Sequence, residues 1–280
     1  MNRSLFRLFI ILSFMTPQSN GQDTSAVHWY RAGGIGLLTA GGFVYGHALN
    51  TNLWWKGEKS GFHFNWQEDW TYALGSDKFG HFFFPYMASQ VYSGLFQWSG
   101  FSRNTSLWLG SSLAFSYQTY IEIKDGFSKQ WGFSWGDFAA NTLGAVYPLL
   151  EEEYPPLKNF RFKMSFSPSE RFRNNSHSVI FDDYESTYDW ISIDIYNLLP
   201  QKAKPYWSPY LNIALGHSVK RLDAPEGGHH EFFLALDWNL DAFQIQNEYL
   251  RAVQKIIGFY RLPSPAVKIY PGVVWYGVRF

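Results

Sequence analysis

Glu231-Phe232-Phe233-Leu234-Ala235-Leu236-Asp237-Trp238-Asn239-Leu240 decides how the second half of the chain is built. Phe232, Leu234, Leu236, Trp238 and Leu240 alternate with Glu231, Phe233, Ala235, Asp237 and Asn239, and a repeat of two marks a strand with one apolar face. Ile191, Ile193 and Ile195, set between Ser192, Asp194 and Tyr196, read the same way. Working outward, residues 160–167, 210–220, 242–251 and 270–280 are further strand candidates, separated by turn material such as Pro225-Glu226-Gly227-Gly228. Antiparallel pairing follows from the short connections.

Upstream of Pro155-Pro156 the pattern is different. Residues 32–55, 79–102 and 104–121 contain no Lys, Arg, Asp or Glu, and each is long enough for a bilayer-length helix. Gly, Ser, Thr, Gln and Asn dilute them, so a tightly packed bundle in water accounts for them equally well. Gly33, Gly34, Gly36, Ala40, Gly41, Gly42 and Gly46 would let helix backbones approach closely. A fourth helix is expected from near Ser134 to about Glu152, stopped by the proline pair. The expected fold class is therefore α+β: an N-terminal bundle of about four helices over residues 22–154, then an antiparallel sheet over residues 155–280. That sheet either closes as a barrel or packs on the helical half.

Residues 1–21 have the three parts of a secretory leader. Arg3 and Arg7 precede the apolar run Leu8 to Phe14, and Ser19-Asn20-Gly21 supplies small residues before a cut near Gln22. The expected location is the cell envelope, in the periplasm or at the outer membrane. Lys plus Arg and Asp plus Glu each number 23, so no global field favours nucleic acid. Aromatic residues make up 20% of the chain, and Tyr and Trp suit a boundary that is wet on one side and apolar on the other. Membrane lipid or another envelope component is the expected partner. The sequence has no cysteine, which removes disulfides, thiolate ligands and a lipid-bearing cysteine.

A few ionisable residues interrupt the uncharged helices. In Ser76-Asp77-Lys78-Phe79-Gly80-His81, Asp77 and His81 are one turn apart on one face. Glu122, Lys124 and Asp125 end the third helix, and acids there oppose the helix dipole. Asp137 and Asn141 share a face of the fourth helix with Gly144. Each has an ordinary explanation: Asp77 as a helix cap, Ser134 with Asp137 as a capping box, His81 as a hydrogen-bonded core histidine. Because a buried unpaired carboxylate is costly, Glu122 and Asp137 must reach water, His81, Lys78, Lys124 or a cation. The candidate cluster is Asp77, Lys78, His81, Glu122, Asp125, Asp137 and Asn141, and no cofactor or metal is specified. His229-His230 sits in a glycine-bearing turn and lacks a nearby third ligand.

Asp77-Lys78-x-x-His81, the cluster at residues 122–125, and Gly132-Phe-Ser134-Trp-x-Asp137-x-x-Ala140-Asn141-x-x-Gly144 together resemble domain of unknown function 2279, the YfiM-type predicted periplasmic lipoproteins, over roughly residues 70–150. The first and last blocks also resemble VanZ-type membrane proteins more distantly. The final strand, ending on an aromatic residue, is similar to the terminal strand of outer-membrane barrels. The resemblance implies no reaction. Three function classes stay open: a non-catalytic envelope protein, a membrane-surface hydrolase using the His/Asp/Glu cluster, and a lipid carrier. Gly-x-Ser-x-Gly, His-Glu-x-x-His and phosphate-loop patterns are absent from the sequence.

Overall fold

The computed structural model describes residues 26–174 and 179–279, so the expected leader lies outside the described residues, as does Phe280. The chain divides into two units. One takes residues 26–70, Gly80–Glu153 and Asn247–Ala252; the other takes Thr71–Phe79, Tyr154–Gln246 and Val253–Phe280.

The first unit is helical. Its long elements are α1 (Trp29–Leu53), most of α2 (Ser76–Trp98), α3 (Arg103–Asp125) and α4 (Trp135–Glu153). Local chemistry sets their ends. Gly100, at φ +91°, follows α2 in a conformation that other residues resist. Ser102 Oγ accepts from Thr105 N at 3.2 Å to begin α3, and the proline pair halts α4. Close helix contact occurs at Gly46 and otherwise at glycines other than the expected ones. A Cβ on Gly144 of α4 would overlap the Phe82 carbonyl of α2, and one on Gly110 of α3 would stand 2.8 Å from Ser93 N. Around Gly33, Gly34, Gly36, Gly41 and Gly42 of α1 there is open space among the described residues; only Gly46, against Tyr117, meets a neighbour closely. No described helix is long and apolar enough to cross a membrane.

The second unit is a six-stranded antiparallel sheet in sequential order: β1 (Phe160–Phe166), β2 (Thr187–Ile193), β3 (Leu211–Lys220), β4 (His229–Trp238), β5 (Ser264–Tyr270) and β6 (Val274–Arg279). The α+β reading holds, and the sheet is not closed into a barrel: β1 and β6 are its edges. The free side of β1 takes a short backbone pass instead, with Met164 N donating to Phe259 O and Arg261 N to Met164 O. The sheet curls strongly. Fully buried Arg261 stacks on Trp190 of β2 at 4.1 Å and donates to Leu236 O of β4 and Arg279 O of β6.

This curl has its polar residues inside. Lys163 of β1 meets Asp237 of β4 at 2.5 Å, Ser192 donates to the same carboxylate at 2.6 Å, and Asn212 donates to Ser192. Tyr188, Trp190 and Phe233 with Ala214, Ala235 and Ala266 fill the rest of the concave side. The apolar alternates Phe232, Leu234 and Trp238 point outward and are exposed.

Three strand expectations are corrected. Residues 242–251 form no strand: Leu240–Ala242 is a 3-10 turn and Glu248–Ile257 is a helix, α5, begun by Asn247 Oδ1 accepting from Leu250 N. Ile195 belongs to a single helical turn, Ile195–Leu198, capped by Asp194. Residues 270–280 are split by a turn at Pro271-Gly272, with Tyr270 ending β5 and β6 starting at Val274. His229 and His230 begin β4 instead of sitting in a turn.

Candidate functional site

Three helices of the first unit bring His81, Glu122, Asp137 and Asn141 together. Their convergence depends on how α4 starts. Ser134 Oγ accepts from Asp137 N at 2.9 Å, as a cap should, but the reciprocal carboxylate belongs to buried Asp69. Asp69 accepts from Ser134 Oγ and from Gly136 N, the latter at 3.1 Å. The Asp137 side chain therefore does not fold back on its own helix end and points at α2. Asp69 was not legible as part of the site because Ser134-Trp-Gly-Asp137 already satisfies the local capping pattern.

His81 lies with Nδ1 3.3 Å from both Glu122 Oε1 and Asn141 Oδ1, and with Nε2 3.7 Å from Asp137 Oδ1. The Asn141 amide donates Nδ2 to Glu122 Oε1 at 3.1 Å, which aims its carbonyl at the imidazole. The Nε2–Asp137 separation is too long for a hydrogen bond. Two ligands about 2.1 Å from one shared ion stand roughly 3.4 Å apart at a tetrahedral angle. One ligand atom from each of His81, Glu122 and Asp137 falls within 4.8 Å of the others, so the trio fits a divalent cation.

The electrostatics agree with that geometry. Glu122 is only 1% exposed, and burial, with Asp137 and then Asp125 nearby, holds its carboxyl well above the usual range despite the Asn141 hydrogen bond. Burial also pushes Asp125 up to about 7, with Asp137 adding to the rise and the 2.6 Å bond from Trp55 Nε1 opposing it. Carboxyls raised this way hold protons that a cation would displace.

Of the seven residues singled out from sequence, four form the cluster. Asp125 is bound by Trp55, whose ring also lies under Lys124 Nζ at 5.5 Å. Asp77 and Lys78, in the first turn of α2, pair with each other at 2.9 Å. In the sheet unit, His230 Nδ1 meets His217 Nε2 at 2.9 Å, and His217 Nδ1 lies 3.6 Å from buried Asp189.

Fold and site define an α+β chain whose helical part carries a partly buried histidine–carboxylate cluster. Residues 64–152 match a family model described as predicted periplasmic lipoprotein (DUF2279), and this segment contains all seven candidate residues together with Asp69. Searches of curated proteins and of solved structures each find no match.

Proposed function

We propose that the protein is a non-catalytic envelope protein, exported by a leader cut near Gln22 and held at the outer membrane, whose helical unit binds a divalent cation through His81, Glu122 and Asp137. The observation that carries the cation reading is that one ligand atom from each of His81, Glu122 and Asp137 lies within 4.8 Å of the others. One imidazole with carboxylates suits Zn²⁺ or Mn²⁺ better than an all-oxygen Ca²⁺ site. The match to a family described as periplasmic lipoproteins supports the envelope location.

Calorimetric titration of the full chain with Zn²⁺ and with Mn²⁺ tests this. One-to-one binding is expected, with proton release and with affinity falling from pH 7 to pH 6 as the carboxyls refill with protons. His81→Gln and Asp137→Asn should each weaken it at least tenfold. Absence of binding by either ion, together with an unfolding temperature that neither ion moves, would overturn the reading.

A second reading adds a reaction at the same residues: hydrolysis of a lipid or cell-wall substrate, with His81 Nε2 as general base. The Glu122 carboxylate beside Nδ1 favours it, because an acceptor there orients the imidazole and stabilises it when protonated. Envelope lipid turnover that is lost in His81→Gln and kept in Asp137→Asn would select this reading over the first.

A further inference from the structure

The outward face of the sheet carries rows of apolar residues that run straight across four strands. Leu215 of β3 is opposite Leu234 of β4, Leu234 is opposite Val267 of β5, and Val267 is opposite Trp275 of β6. A second row sets Phe232 opposite Tyr270. Leu215 is 48% exposed, Leu234 43% and Trp275 80%. The row on the opposite face is Ala214, Ala235, Ala266 and Tyr276, flanked by charges that pair inside: Lys163 with Asp237, and Lys268 with Glu231 at 2.7 Å.

Both faces therefore carry apolar residues: Tyr188, Trp190 and Phe233 are buried inside beside the paired ions, and a second apolar surface is left outside. The ions in the concavity each have a partner that offsets desolvation, while the outward rows would gain from leaving water. A continuous apolar exterior is how strands are arranged when the surrounding medium is hydrocarbon. Trp238 and Tyr270 on the same face have the amphipathic rings favoured at headgroup level. The sheet is open, however, and an open edge has no place in the middle of a bilayer because its N–H and C=O groups would go unsatisfied. An orientation flat on one leaflet keeps the β6 edge among headgroups and water.

We infer that the outward face of β3–β6 docks on a lipid leaflet, with the row Leu215, Leu234, Val267 and Trp275 in the acyl region. The inference rests on the membrane-associated reading above and names the surface responsible. These 280 residues contain no cysteine.

The same lack of cysteine provides the test. Leu215→Cys, Leu234→Cys and Ile269→Cys in the full chain, each labelled with an environment-sensitive fluorophore, are mixed with phosphatidylethanolamine–phosphatidylglycerol vesicles. Lys129→Cys, on the helical unit, is the reference. Co-flotation is expected, with the three sheet probes losing quenching by iodide and gaining quenching by nitroxides on the acyl chains, and the reference unchanged. Leu234→Arg should lower vesicle partitioning by about thirtyfold. Co-flotation with sheet probes still open to iodide would overturn the inference and leave membrane association standing. Sheet probes shielded without nitroxide quenching, with Leu234→Cys cross-linking to a second copy, would assign the face to self-association. Failure to co-float would remove the membrane reading and the inference together.

Discussion

The Glu122 and Asp125 carboxyls hold their protons to higher pH in the folded chain than they do unfolded, chiefly because burial disfavours their charge. Between about pH 4, where an unfolded aspartate ionises, and about 7, where folded Asp125 does, the native state binds more protons. Stability therefore falls as pH rises through that window, and urea unfolding of the cation-free protein at pH 5 and pH 7.5 should show it. A bound cation should restore the loss at the upper end. His81→Ala and Asp137→Ala then separate a cation site from a closed structural network. In a network each change strands a buried partner and costs roughly 1–3 kcal/mol, with the double costing less than the sum. In a cation site without its ion each should be near neutral or stabilising, since the members repel one another. Additive effects near zero, with no response to Zn²⁺, would show that these residues do not interact. His81, Asp137 and Asn141 were legible from turn spacing, and Glu122 from its position against the helix dipole. Asp125 and Lys124 were not separable from them by sequence, because Trp55, which binds both, lies on a segment with no periodic link to α3.

Element by element, the same residue type has opposite expected effects. Gly144→Ala should destabilise by about 1–3 kcal/mol, because the added carbon meets the backbone of α2. Gly41→Ala, mid-helix in α1 with open space around it, should stabilise by roughly 0.5–1 kcal/mol. Chemical denaturation of the two variants checks both signs at once. The four long helices were readable from uncharged stretches ended by Ser, Gly and Pro. Which glycines make contact was not, since that depends on how helices cross. The strand error at residues 242–251 has a local cause. Phe243-Gln244-Ile245-Gln246 alternates with a repeat of two, whereas Tyr249, Leu250 and Val253 have helical spacing and Asn247 caps the helix that they start. The start of β5 was hidden by Pro263 and Pro265, and the register with β6 shifts there, between Ser264 and Ala266.

Across the whole molecule, the sheet depends on its last strand more than on its loops. Removing residues 271–280 would expose the β5 edge and take from buried Arg261 the Arg279 carbonyl, while Tyr188 would lose its hydrogen bond from Arg279. Cutting at Gly227-Gly228 breaks a turn that joins β3 to β4 and leaves their ladder intact. Thermal unfolding and protease resistance should fall sharply for the truncation and little for the cut; equal behaviour would show that β6 is dispensable. The alternation that revealed the strands did not say which face is buried, because a repeat of two is the same whichever side meets the solvent. For a chain exported as proposed, that ambiguity has a use. Leu215, Leu234, Val267 and Trp275 are scattered along four strands and become one greasy surface only after the strands pair. A secretory channel sorts segments by continuous apolarity before folding, and the described helices contain no span it would retain. On the proposed reading the chain is threaded through one membrane before folding and gains its proposed affinity for another by folding on the far side.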